Sequence, residues 1–207
     1  MAYSVVIAED YKMIREVFAS TVTAAENYRL AGSFPTAAEA VEFCRSQAVD
    51  LVLMDVLIPG SISGLEAARA IKGFRPETKI IVVTSMPELS FLRQAREIGV
   101  ESFWYKEVQE QPLLEIMDRT MAGESVYPGS SPAVAVGNVL SSDFTEREAE
   151  VLRELVSGAS NREIAARLGI AENTVKMHIT NMLQKTGYHS RLELAVKARH
   201  LGVAIKD

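Results

Sequence analysis

Five short apolar runs with strand character, at residues 4–8, 28–32, 51–55, 79–84 and 102–105, alternate with amphipathic segments at 11–25, 36–46, 64–72, 88–98 and 112–121. A β-α unit repeated five times leaves a chain few choices. Strands joined by helical crossovers lie parallel, and right-handed crossovers put helices on both faces. Residues 1–122 are therefore expected to form a doubly wound α/β domain with a five-stranded parallel sheet. The stretch DLVLMDVLIPG carries the sharpest consequence. Leu51 to Met54 reads as a strand buried on both faces, so Asp55 falls at its carboxyl end, the edge where open α/β sheets bind ligands.

After residue 122 the pattern changes. Residues 123–142, GESVYPGSSPAVAVGNVLSS, are rich in Gly, Ser and Pro, lack a helical stripe and read as a linker. Residues 143–207 then hold four helical segments, with Ser/Thr-x-x-Glu capping boxes beginning at Thr145, Ser160 and Ser190. A short helix near 161–168, closed by Gly169, precedes one over about 172–185, which is a helix-turn-helix in a separate all-α domain. No aliphatic run approaches the ~18 residues that span a bilayer, and acidic Glu9 and Asp10 stand where a signal peptide would be apolar. A cytoplasmic protein with no membrane partner is expected. The single cysteine, Cys44, shares a helical face with Ala37, Ala40 and Val41, reads as core, and excludes an intrachain disulfide. The net charge of −5 is uneven, with 12 basic and 18 acidic residues in 1–139 against 10 and 9 in 140–207.

If strands one, three, four and five end at one edge, Glu9, Asp10, Asp55, Thr84 and Lys106 converge there. Three carboxylates together repel one another and call for a cation, and an all-oxygen site suits Mg²⁺. A carboxylate oxygen beside that ion can attack a phosphoryl group in line and become an acyl phosphate. Lys106 then offers an ammonium to the equatorial oxygens, and Thr84 a hydroxyl. Two other readings stay open. The acids could simply cap strands, or Asp55 could be the nucleophile of a phosphatase, which would want a second carboxylic acid two residues on, where Leu57 stands.

In the second domain the helix ENTVKMHITNMLQK places Val175, Ile179, Met182 and Leu183 on one stripe. Asn173, Lys176, Met177, Thr180 and Gln184 lie opposite. Such a face fits a DNA major groove, with Arg162, Arg167, Lys185 and Arg191 available to phosphates. The near-neutral charge also leaves room for a protein-binding four-helix bundle. His178, His189 and His200 stand eleven apart, but Gly187 breaks their face and no metal site is expected of them.

The words IAED, LVLMDVLIP, IIVVTS and SFWYK, in this order and spacing, resemble the receiver domains of two-component response regulators. TEREAEVL, EIA, TVKMH and the final Lys-x-Gly resemble the LuxR-type helix-turn-helix module, and the pair resembles response regulators of the NarL/FixJ type. The resemblance implies a flavodoxin-like (βα)5 receiver and a transcriptional regulator rather than an enzyme. Asp55 is then the phosphoacceptor, served by a sensor histidine kinase. Glu9, Asp10, Asp55 and the backbone carbonyl of Leu57 hold Mg²⁺, while Thr84, Phe103 and Lys106 form the switch, Phe103 turning inward on phosphorylation. Arg162, Asn173, Thr174, Lys176, Met177, Thr180 and Lys185 face promoter DNA, and Ser190, Leu194, Lys197 and Ala198 on the last helix pair two copies into a homodimer. A turnover phosphatase and a DNA-binding protein with an inert receiver remain as alternatives. Four positions depart from the family text: Gly64 comes one residue late because GSIS lengthens its loop, Glu107 follows Lys106 where many receivers have proline, Ala171 replaces a Ser or Thr cap, and Thr180 stands where relatives sometimes carry lysine. Leu57 and Met86 are apolar at positions that flank the attacking water in receivers, which predicts a slowly hydrolysed acyl phosphate.

Overall fold

The computed structural model describes residues 2–88, 90–106 and 112–205. The chain divides into two compact units, residues 1–85 with 92–128, and residues 86–91 with 129–207. The first unit runs β1 (Tyr3–Ala8), α1 (Lys12–Ala24), β2 (Tyr28–Phe34), α2 (Ala37–Ser46), β3 (Leu51–Asp55), α3 (Gly64–Phe74), β4 (Lys79–Thr84), α4 (Phe91–Ile98), β5 (Ser102–Tyr105) and α5 (Leu113–Met121). All four strand pairings are parallel, in the order β2-β1-β3-β4-β5. The chain changes direction across the sheet between β1 and β3, and a crevice opens beyond their carboxyl ends at such a point.

Every residue of β3 is buried, as an unbroken apolar run requires. Val5, Ile7, Leu51, Leu53, Ile81 and Val83 form one core with Phe18 and Val22 of α1 and Ile116 and Met117 of α5. The alternating residues Val6, Val52, Met54, Ile80 and Val82 are buried as well, on the opposite face of the pleat. Helix α2 buries Ala37, Ala40, Val41 and Cys44, the face read from the sequence. Helix α4 begins at Phe91, three residues later than its periodicity suggests.

Helix α3 opens with a full capping box, Ser63 Oγ accepting the Glu66 N–H and the Glu66 carboxylate accepting the Ser63 N–H. The Ser-x-x-Glu signature was present there and went unread. The requirement for glycine at position 64 has a steric cause. A Cβ at this position would lie 1.7 Å from the Asp55 carbonyl oxygen, so only glycine lets α3 start against the end of β3.

The second unit holds a two-residue-per-strand hairpin, β6 (Ala135–Val136) and β7 (Val139–Leu140), then α6 (Glu146–Val156), α7 (Asn161–Leu168), α8 (Glu172–Thr186) and α9 (Arg191–His200). Val136, Val151, Leu152, Ile164, Val175, Met182 and Leu194 belong to its core. Thr145–Glu148 and Ser160–Glu163 are reciprocal boxes. The third is half formed: Ser190 Oγ accepts the Glu193 N–H, but the Glu193 carboxylate takes the His189 N–H instead.

The expected linker is shorter than residues 123–142. Val126 is buried against the first unit, and Val136 against the second. The hairpin turn packs on the end of α8, where the Asn138 N–H donates to the Thr186 carbonyl at 3.0 Å. Gly137 (φ +62°) must be glycine, because a Cβ would lie 2.0 Å from that same carbonyl oxygen. No described helix is long and apolar enough to cross a membrane.

Candidate functional site

Beyond β1, β3 and β5 the sheet gathers the residues that the sequence pointed to. One carboxylate oxygen from each of Glu9, Asp10 and Asp55 lies within 4.8 Å of the other two. Glu9 and Asp55 are buried and Asp10 is exposed, so the cluster has a closed floor and an open mouth. Lys106, one residue past β5, reaches in with its Nζ 2.8 Å from Asp55 Oδ2 and hydrogen-bonded to Glu9 Oε2. Burial opposes charge on this ammonium, but the two carboxylates outweigh it and raise its pKa above the ordinary lysine value. Burial raises Glu9 above the ordinary carboxylate range, against the opposing hydrogen bond from Lys106.

Thr84 is buried at the end of β4, and its carbonyl accepts the Lys106 N–H at 3.0 Å, which ties together two of the positions expected to form a switch. Leu57 lies in the turn after β3 with its N–H 3.4 Å from Asp55 Oδ1. Phe103 is wholly buried, with ring centroids 5.0 Å from Tyr105 and 6.2 Å from Tyr127. Expected to turn inward on phosphorylation, it already points inward. Glu107 lies outside the described residues.

The sequence reading missed Arg15. From the second turn of α1 its Nη1 donates to the carbonyl oxygens of Glu9 (2.7 Å) and Asp10 (3.1 Å), gripping the backbone that carries both acids. The available signal was its spacing, five residues beyond the acidic pair on a helix that starts at their loop.

On the helix-turn-helix, α7 ends at left-handed Gly169 and α8 begins three residues later. Val175, Ile179 and Met182 are buried and Leu183 half-buried, while Asn173, Lys176, Met177, Thr180 and Gln184 are exposed, as the helical wheel predicted; Thr174 is half-buried. Ala171 makes no side-chain cap. The basic residues divide. Arg162 and Lys176 are exposed and make no ion pair among the described residues. Lys185 does not fit its assigned role, since its Nζ bonds the buried Glu148 carboxylate at 2.7 Å and the Asp143 carbonyl at 3.0 Å. Arg167 likewise pairs with Glu154, and Arg191 bonds Asn161 and the Ala159 carbonyl.

The pairing surface on α9 also needs correcting. Leu194 and Ala198 are fully buried in the domain core and cannot meet a second copy. Ser190 is exposed but spends its hydroxyl on the cap, and Lys197 is exposed. The outward apolar residues are Leu192, 70% exposed, and Val196, 57% exposed.

An acidic pocket with a lysine at the switch point of a (βα)5 sheet, followed by a helix-turn-helix, defines a receiver joined to a DNA-binding type of output module. Residues 5–118, more than half of the chain, match the family described as "Response regulator receiver domain", and residues 142–198 match "Bacterial regulatory proteins, luxR family". The chain belongs to the response regulators with a LuxR-type helix-turn-helix domain. It is 30% identical over 206 residues to the response regulator protein VraR of Staphylococcus epidermidis, covering 96% of this chain and 97% of that one. It is 28% identical to the transcriptional regulatory protein LnrK of Bacillus subtilis, covering 97% and 98%. Its fold is similar to that of RcsB from Salmonella enterica serovar Typhimurium, solved with promoter DNA and the phosphomimetic BeF3-, with a TM-score of 0.65, 19% identity and coverage of 95% and 98%.

Proposed function

We propose that this response regulator accepts a phosphoryl group on Asp55 from a partner histidine kinase and, as a homodimer, binds promoter DNA in response. The observation that carries the proposal is the meeting of Glu9, Asp10 and Asp55 within 4.8 Å, with Lys106 bonded to two of them. An Asp55 carboxylate oxygen attacks phosphorus, the bond to the donor's imidazole nitrogen breaks, and the electron pair leaves with the imidazole. In this reading the Lys106 ammonium neutralises the equatorial oxygens, and Thr84 Oγ1 donates to one of them. The all-oxygen donor set fits Mg²⁺, which Glu9, Asp10, Asp55 and the Leu57 carbonyl would hold. When bound, the ion supplies charge neutralisation for the transferred group.

Leu57, half-buried where a phosphatase would carry its general acid, favours retention of the acyl phosphate over turnover. For DNA, Asn173, Thr174, Lys176, Met177 and Thr180 form the reading face of α8, with Arg162 on phosphate and Lys185 withdrawn into its ion pair. For self-association, Leu192 and Val196 replace Leu194 and Ala198. They border an open groove of about 560 Å³ between α6 and α9, with Leu155, Val156, Ala159 and Ala195 also lining it. Two recognition helices in such a dimer would read half-sites about 10 bp apart.

Incubation with acetyl phosphate and Mg²⁺ tests the chemistry. A regulator incorporates a phosphoryl group stably and loses incorporation in Asp55→Ala. Rapid release of inorganic phosphate by the native chain would instead identify a phosphatase, and no incorporation an inert receiver.

A further inference from the structure

We propose that Tyr127 is a positioning residue for the phosphoryl-accepting pocket. Docked beside the edge of β5, it holds Phe103 in the inward orientation that a phosphorylated pocket uses. The proposal rests on the reading of Asp55 as phosphoacceptor and adds a residue from the segment that looked like linker.

β5 is the edge strand of the sheet, and an edge leaves backbone groups without strand partners. Here residues 126 and 127 return along it as a strap. The Phe103 N–H donates to the Val126 carbonyl at 2.9 Å, and the Val126 N–H donates to Ser102 Oγ at 3.1 Å. That hydroxyl is also 2.7 Å from Thr120 Oγ1 of α5. The Tyr127 hydroxyl donates to the Val100 carbonyl at 2.8 Å, and its ring lies 4.6 Å from the Arg96 guanidinium carbon on α4. β5, the turn before it and α4 therefore grip the strap, and the Tyr127 ring stands 6.2 Å from that of Phe103. In the proposal, that ring stands in the way of Phe103 turning out past the strand edge.

The same strand leads to the chemistry. Lys106, with its Nζ on Asp55, is three residues beyond Phe103 and one beyond the last residue of β5. Strap docking, inward Phe103 and the present placement of Lys106 thus describe one conformational state. Whatever the phosphorylated pocket gains from that state it returns to the strap by the same factor, because linkage between two sites is reciprocal. A docked strap also withdraws residues 124–127 from the tether, and release would lengthen it by about 14 Å.

The test uses the full-length chain with beryllofluoride and Mg²⁺ as the phosphoryl analogue, followed by fluorescence of Trp104 on β5. Tyr127→Ala is expected to weaken beryllofluoride binding by about five-fold or more while leaving affinity for Mg²⁺ alone unchanged, and Tyr127→Phe, which keeps the ring, to bind near the native affinity. In the native chain the analogue is expected to slow hydrogen exchange at the Phe103 and Val126 amides. A folded Tyr127→Ala protein with native analogue affinity, or one losing beryllofluoride and Mg²⁺ affinity alike, overturns the proposal. So does unchanged or faster exchange at those amides in the native chain, a measurement that needs no variant to fold. A native chain that takes up neither beryllofluoride nor a phosphoryl group overturns the phosphoacceptor reading itself, and the strap proposal with it.

Discussion

Arg15 is an arginine whose work is done on backbone rather than on carboxylates. By binding the carbonyls of Glu9 and Asp10 it fixes the loop from which both acids project. Groups that orient metal ligands from behind commonly change affinity by ten-fold or more. Arg15→Ala is expected to weaken Mg²⁺ binding by about ten-fold, with Arg15→Lys recovering part of it, measured by calorimetry. An unaltered Mg²⁺ affinity in the alanine variant would remove that role. A second prediction concerns persistence. If Leu57 and Met86 flank the hydrolytic water, as the family resemblance implies, they offer it no hydrogen bond, so Leu57→Asn with Met86→Glu is expected to shorten the acyl-phosphate half-life several-fold, followed by phosphate release after donor removal. A half-life equal to or longer than the native one would contradict it. Single residues were read well where their neighbours in sequence decide their environment, as Asp55 shows. Lys185 was misread because its partner, Glu148, lies 37 residues away and no local pattern announces it.

Helix α8 is capped at one end only. Its C-terminal turn is held by Gly187, by the hairpin amide of Asn138 and by Lys185, whereas Ala171 at its start has cap geometry (φ −71°, ψ 146°) without a cap side chain. Ala171→Ser is expected to stabilise the second unit by ~1 kcal/mol, seen as a higher unfolding midpoint for the helical signal, and no shift would count against the missing cap. Glu148 anchors α6 to α8. Burial alone would raise its pKa, but hydrogen bonds from Lys185 and Thr145 win and hold it below 4.5. A lowered carboxylate contributes stability that is complete above 4.5 and drains as pH falls through the folded value. Urea unfolding of the second unit is therefore expected to lose more stability as pH falls from about 5 towards about 3 in the native chain than in Glu148→Gln, and parallel losses would contradict the ion pair's role. Strands, helices and two of three capping boxes were legible because each is a local pattern of period or cap. The strap at 126–127 and the hairpin at 135–140 were not. Their segment is Gly- and Pro-rich, and their partners, Ser102, Phe103 and Thr186, stand 24, 23 and 48 residues or so from them.

At the scale of the whole chain, an α/β unit with an acidic, lysine-bridged pocket is joined to a helical unit whose recognition face is exposed. The order of domains and the pocket were legible because alternation of strand and helix fixes which strand ends share an edge. The exact span of free tether was not, since both of its ends fold into their own units. Coupling the two requires the pocket's chemistry to change DNA binding, and moving a population from 1:99 to 99:1 would take ~5.5 kcal/mol of differential stabilisation. A smaller coupling gives graded output. The most direct measurement is fluorescence anisotropy of a genomic fragment selected by this protein, titrated with the full-length chain with and without beryllofluoride and Mg²⁺, beside the Asp55→Ala variant. The native chain is predicted to bind that fragment at least ten-fold more tightly with the analogue present, with no such change in Asp55→Ala. Equal affinity in the native chain with and without the analogue would contradict phosphorylation control of DNA binding.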